Sequence, residues 1–405
     1  MSWPKVNLGD IAEFIRGVTF KPHDLIEFGA NDFVVCMRTK NIQKDLDESD
    51  LISLPKNHIK NKSKFLKKGD LLVSTANSFE LVGKSCWVPE LEYPAVAGGF
   101  ISILRAKEEL LYPRYLFHWM KTSQTQNLLR NCGRQTTNIS NMDFERAKKL
   151  KISLPPLNEQ KRIAAILDKA DAVRRKRQQA IKLSEQLLRS VFLDMFGDPL
   201  TNSKGFKLVK ISDIGKIITG NTPSRDKKQY YGSEIEWIKS DNINTPFHYL
   251  TKAEEYLSEE GKLVGRCAPK DSVLITCIAG SKNCIGNIAM TDREVAFNQQ
   301  INAIIPNEKT LIYFLYAQLL FNKKIIQNAS TNSMKGMVSK SRLSNIEILL
   351  PPLDEQERYA QFFSRAVKKI EKDNLAFMVS DKLFNSLTQK AFRNELSKQS
   401  DIELV

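Results

Sequence analysis

Apolar residues recur with helical spacing over two long stretches of the chain. The first carries Ile163, Ile166, Leu167, Ala170, Val173, Ala180, Ile181, Leu187, Leu188, Val191 and Met195. The second carries Phe362, Phe363, Ala366, Ile370, Ala376, Phe377, Leu383, Phe384, Leu387 and Ala391. A seven-residue repeat of this kind predicts a seam for packing against another helix. At 1.5 Å per residue, each helix would run roughly 55–60 Å. Two matching seams in one chain are expected to pack on each other. Ile163, Leu167, Val173, Ile181 and Leu188 would meet Phe362, Ile370, Phe377, Phe384 and Leu387.

Both helices open alike. Leu154-Pro155-Pro156-Leu157-Asn158-Glu159-Gln160 recurs as Leu350-Pro351-Pro352-Leu353-Asp354-Glu355-Gln356, an offset of 196 (350 − 154). The proline pair ends the preceding strand. Asn158 and Asp354 can cap the helix, and Glu159 and Glu355 suit the positive end of its dipole. The register holds without a gap to Phe196 and Phe392.

The pattern between the helices is strand-like and also repeats. Trp3, Val6, Leu8, Ile11, Phe14, Ile15 and Gly17 match Phe206, Val209, Ile211, Ile214, Ile217, Ile218 and Gly220. Lys68–Ser74 resembles Lys270–Thr276, and each reads as a turn entering a buried strand. The apolar runs Gly99–Leu104 and Ile301–Ile305 are each followed by an aromatic helix, around Tyr115–Met120 and Tyr313–Tyr316. The layout is block, helix, block, helix, with similar scaffolds and dissimilar loops.

Composition narrows the picture. A length of 405 residues asks for two or more domains. No apolar run reaches membrane-spanning length, and the N-terminus lacks the build of a signal peptide, so the cytoplasm is the expected location. Six cysteines without a CxxC, and four scattered histidines, argue against zinc and for free thiols. The net charge of +15 suits a polyanion without requiring one.

The Leu-Pro-Pro-Leu-(Asn/Asp)-Glu-Gln openings, the close Phe192-Leu193-Asp194-Met195-Phe196-Gly197-Asp198-Pro199 and the doubled layout resemble the specificity subunit of type I restriction–modification enzymes. The resemblance implies a mixed α/β (α+β) fold with an internal pseudo-twofold duplication. Two target recognition domains, residues 1–153 and 198–349, would be separated by helices 154–197 and 350–396 in an antiparallel coiled coil, followed by a tail at 397–405. It also implies the partners: double-stranded DNA, two modification (methyltransferase) subunits and, in the full complex, restriction subunits. S-adenosylmethionine would sit on the modification subunits and no cofactor on this chain.

Motifs for catalysis are absent. Both Pro-Pro pairs are flanked by leucine, without the polar and aromatic residues that hold a flipped base. There is no Walker A loop. The expectation is a protein that is not an enzyme by itself, with two alternatives: an autonomous nucleic-acid-modifying enzyme with an unrecognised site, or a coiled-coil adaptor that binds only proteins.

Candidate DNA contacts fall where the blocks match in scaffold and differ in side chain. Arg38, Lys40 and Asn41 align with Lys239, Asp241 and Asn242. Arginine pairs with guanine and asparagine with adenine in the major groove, although Asn41 and Asn242, identical in both copies, serve equally as turn formers. A second pair of loops offers Arg134, Gln135 and Asn138 against Asn332 and Lys335, or else ordinary surface. The run Arg174–Arg177 lies mid-helix, as a solvated or partner-facing stripe or as a set of phosphate contacts.

Overall fold

The computed structural model describes residues 3–135, 139–331 and 336–396, the side chains of Arg134 and Gln135 excepted. It divides into two compact units, Met1–Arg174 with Ser380–Val405, and Arg175–Val379. Each unit thus combines one block with part of each long helix.

In unit 1 the opening strand Lys5–Asn7 pairs antiparallel with the closing strand Lys151–Ser153, so the block begins and ends together. Its largest sheet is antiparallel, in the order Ala12–Arg16, Ile101–Ala106, Leu71–Ser74, Ser85–Trp87. A second sheet places Phe33–Met37 between Ile52–Pro55 and Ala95–Ala97, the latter pair parallel. Unit 2 repeats the design. Lys207–Lys210 pairs with Glu347–Leu350, and Gly215–Thr219, Ile301–Pro306, Val273–Thr276 and Ile288–Met290 form the large sheet in the same order. The strands Leu71–Ser74 and Val273–Thr276 are buried at every residue, as a continuous apolar run at a sheet centre should be.

The long helices run Leu157–Phe196 and Leu353–Arg393. In unit 1, Ile163, Leu167 and Ala170 share a core with Leu387 and Ala391, and the Tyr115 and Phe392 rings lie 5.1 Å apart. In unit 2, Ile181, Leu188, Phe192 and Phe196 share a core with Tyr359, Phe363, Val367 and Ile370. The start of one helix therefore meets the end of the other within each unit, which makes the pairing antiparallel. Phe362 and Phe377 pack at the edge of the unit 2 core, and Phe384 at the edge of the unit 1 core.

The seam is not apolar throughout. Val173 is only half-buried and belongs to neither core, and Leu187, expected on the seam, is 53% exposed. The helix midsection is polar instead: Asp171, Asn374 and Ser380 are buried there. Arg174, expected in a solvated or partner-facing stripe or on phosphates, holds Asp171 at 2.5 Å and Asp381 at 2.9 Å, with its guanidinium 4.5 Å from the Phe384 ring centroid. Arg177 donates to the Ala376 carbonyl. A 3.6-residue helix drifts out of a seven-residue register over this length, and charged side chains fill the place where the apolar stripe turns away.

The repeated motif has a physical reason that periodicity does not reveal. Gln160 is fully buried; its amide donates to the Leu110 and Pro155 carbonyls at 3.0 and 2.8 Å, and its oxygen accepts the Tyr112 N–H at 2.7 Å. Gln356 does the same in unit 2, with Lys309 and Pro351 as acceptors and Leu311 as donor. Each glutamine clasps its helix to the loop before the aromatic helix of its own block.

Candidate nucleic-acid interface

Each block turns sharply after a buried strand, and asparagine makes the turn. Strand Phe33–Met37 is followed by one helical turn, Thr39–Asn41, in which the Asn41 oxygen accepts the Arg38 N–H at 2.7 Å. The Asn41 amide donates to the carbonyls of Asp47 and Asp50. In unit 2 the Asn242 oxygen accepts the Lys239 N–H at 3.0 Å, and its amide donates to the Lys252 carbonyl at 2.8 Å. Both asparagines are bonded by the backbone at both ends of the amide, as turn formers are.

The cation leading each turn is held by an acid farther along the chain. Arg38, half-buried, donates through one terminal nitrogen to the carboxylate and the carbonyl of Asp50, at 2.8 and 3.1 Å. Lys40, exposed, reaches the same carboxylate. Lys239 pairs with Glu255, which also holds Arg225 at 2.7 Å. The hydrogen bonds from Lys239 and Arg225 hold the Glu255 carboxyl below its ordinary range, so it is charged wherever the turn is folded near neutrality. Arg225 in turn lies over Tyr231 and Trp237, at 4.5 and 4.9 Å. Asp241 is exposed.

Hydrogen bonds join these turns to the second candidate loops. The Met37 carbonyl accepts the Gly98 N–H at 2.8 Å, which sets the turn Gly98–Ile101 beside Arg38. The Phe100 carbonyl in that turn accepts the N–H groups of Thr75 and Ala76, at 3.0 and 3.1 Å. Ala76 belongs to a strand paired with Asn141, and Asn141 pairs with Arg134. Unit 2 repeats these links as far as the strand that corresponds to Asn141. Asn298 donates to Ile238 at 3.0 Å, Cys277 and Ile278 donate to the Gln300 carbonyl at 2.8 and 3.1 Å, and Ala279 pairs with Gly336. A glycine passes beneath each turn: a Cβ on Gly17 would lie 2.0 Å from the Gly98 oxygen, and one on Gly220 2.1 Å from the Asn298 oxygen. That close approach explains why both copies carry glycine there.

The structure thus brings the Arg38 turn and the Arg134 strand onto one hydrogen-bonded frame, and likewise the Lys239 turn and the strand at Gly336. Arg134 and Gln135 are placed by their backbone in strand Gly133–Gln135. Asn138, Asn332 and Lys335 lie outside the described residues. Sequence reasoning missed Asp50, Glu255 and Arg225, which pair across separations that follow no period. It also counted Phe100 with an apolar strand, whereas the strand starts at Ile101 and the Phe100 ring is 67% exposed.

Among the described residues no group of three or more His, Cys, Asp or Glu could hold a metal ion, and no helix is long and apolar enough to cross a membrane. Cys36, Cys86 and Cys277 are buried, which pushes their thiols up to about 12 and keeps them protonated.

The family profile of the type I restriction modification DNA specificity domain matches twice, over residues 2–183 and 203–376. The StySPI specificity subunit of Salmonella potsdam is 24% identical over 420 residues, covering 98% of this chain and 90% of that protein. The EcoKI specificity subunit of Escherichia coli K12 is 25% identical over 432 residues, with the same coverage. Among solved structures, the type I restriction–modification S subunit of M. genitalium superposes with a TM-score of 0.62 at 15% identity, covering 97% of this chain and 96% of that one.

Proposed function

The chain belongs to the type I restriction–modification DNA specificity family, and from that premise we propose how its two units divide the work. Specificity subunits are the non-catalytic, DNA-recognising components of these systems. In this chain, block 1–153 reads one half of a bipartite, asymmetric target and block 198–349 reads the other. Helices 154–197 and 350–396 set the number of unread base pairs between them. Two modification subunits dock on this scaffold, carry S-adenosylmethionine and methylate adenine. Restriction subunits join through them.

The observation that carries this reading is the frame built twice. The same backbone hydrogen bonds present Arg38, Lys40 and Phe100 in one block, and Lys239, Asp241 and Gln300 in the other. Holding the scaffold constant while changing the groups at its surface is what two different base sequences ask of two copies of one reader. Asp50 and Glu255 hold the leading cation extended and ready, as acids beside a base-reading arginine can.

The test is the methylated-adenine motif in DNA from cells expressing this chain with modification subunits. Exchanging residues 1–153 for the corresponding block of a relative should change one half-site only. A change in both halves overturns the division, and methyl transfer by the purified chain alone overturns the non-catalytic role.

A further inference from the structure

We propose that Phe100 is a specificity-determining residue of the first block, its ring making the apolar contact with a thymine C5-methyl group in the major groove. The proposal rests on the reading that this block recognises DNA, and it names a base group that the block would select.

Three observations lead to it. Phe100 stands between the two candidate loops, since its turn is bonded to the Arg38 side through Gly98 and to the Arg134 side through Ala76. Its backbone is fixed: the carbonyl accepts Thr75 N–H, Ala76 N–H and the Thr75 hydroxyl, the last at 3.3 Å, so a rigid support presents the ring. The ring is 67% exposed, more than any other exposed large apolar side chain described in unit 1.

The turn does not require a ring in that place. The corresponding residue of unit 2 is Gln300, whose carbonyl accepts the same two backbone donors while its side-chain oxygen bonds to Ser240 and Asn298. The turn is therefore built equally well around a polar residue. What an exposed ring beside Arg38 and Lys40 can recognise is limited by chemistry. Among the base edges of the major groove, thymine alone offers an apolar group.

The experiment uses the chain in complex with its modification subunits and duplexes carrying the methylated motif. Each thymine on either strand of the first half-site is replaced in turn by deoxyuridine, which removes the methyl group and nothing else. Wild type should lose affinity about fourfold at one position, the scale of one buried methyl. Phe100→Ala should lose a similar factor on the unmodified duplex and no longer distinguish thymine from uracil there. Recognition of the second half-site and the melting temperature should be unchanged, because the ring is exposed. The proposal is overturned if the half-site contains no thymine, if no position senses the methyl, if Phe100→Ala keeps the discrimination, or if that variant weakens all duplexes evenly, as a wedge between base steps would. A wild-type complex with no preference for the motif would instead bring down the recognition reading itself.

Discussion

The two units build the same buried corner with different chemistry. In unit 1, Asp70 is buried at the entry to strand Leu71–Ser74, accepts the Lys67 N–H at 2.7 Å and pairs with Arg105 through two bonds of 2.8 and 2.7 Å. In unit 2 the corresponding turn is Pro269-Lys270-Asp271-Ser272. Proline has no N–H to offer a carboxylate, and Ser272 instead donates to the Pro269 carbonyl at 2.8 Å, joined there by Thr291. Where Arg105 lies opposite Glu13, Ile305 lies opposite Lys216, so no guanidinium waits for an acid. Both turns place a residue in the left-handed region, Gly69 and Asp271. Lys67, Asp70 and Arg105 give way together to Pro269, Ser272 and Ile305, and the strand stays in place. Backbone geometry outlasts side-chain chemistry in this fold, and that is why the two halves share so few residues.

The comparison breaks first at the ion pair. Asp70→Ala leaves a largely buried guanidinium without its acid and should cost about 3–5 kcal/mol. Hydrogen exchange on the full chain should show faster opening of the unit 1 sheet, with the unit 2 sheet unchanged. Equal loss in both would mean that the units do not open separately.

Acid should then act on unit 2 through a group that unit 1 lacks. Its buried histidine, His248, has Nδ1 3.1 Å from the Tyr316 hydroxyl and its ring against Tyr316 and Phe363, while the Glu371 carboxylate accepts its backbone N–H; burial lowers its pKa to about 4. Because the folded value lies below the ordinary 6.5, the unfolded chain takes up the proton first. Stability is full above 6.5 and falls as pH drops from there towards 4, by on the order of 3 kcal/mol. His118 of unit 1 lies instead 2.8 Å from the Asp168 carboxylate. His248→Phe should remove that part of the acid sensitivity of unit 2. An unchanged pH profile for the variant would reject the assignment.

The glutamine clasps sharpen the comparison from the other side, since here the units agree. Gln160→Ala and Gln356→Ala each leave buried backbone groups unpaired and should each cost roughly 2–3 kcal/mol, every one in its own unit. The smallest effect should come from Ser272→Ala, about 1–2 kcal/mol, because one neutral hydrogen bond is lost and no charge is stranded. Thermal unfolding of the variants ranks them.

Much of this was legible in the chain because it is local or periodic. The long helices follow from the repeated openings and the three-four spacing, and the central strands from continuous apolar runs such as Leu71-Leu72-Val73. What escaped is set by partners distant in sequence. Leu187 satisfies the pattern yet faces outward, because a 3.6-residue helix drifts out of the seven-residue register and the apolar stripe turns away. Arg38 and Lys239 stood out as cations after strands, but nothing in the pattern tied them to Asp50 and Glu255. Phe100 was hidden by its neighbours, since an aromatic beside Ile101 and Ile103 looks like one more core residue until the strand is seen to start after it.

The pairing of Lys5–Asn7 with Lys151–Ser153 has a consequence beyond architecture. The Leu154 N–H reaches the Pro4 carbonyl at 2.9 Å, so a block of some hundred and fifty residues enters and leaves through one narrow doorway. To the helix beyond, everything inside is a single plug, held by hydrogen bonds at the clasp and by ion pairs from the aromatic helix to Asp168. Such a segment can be drawn out by recombination and another seated in its place, provided the two doorway strands and one glutamine fit. Inheritance can then trade whole blocks while leaving their mount untouched.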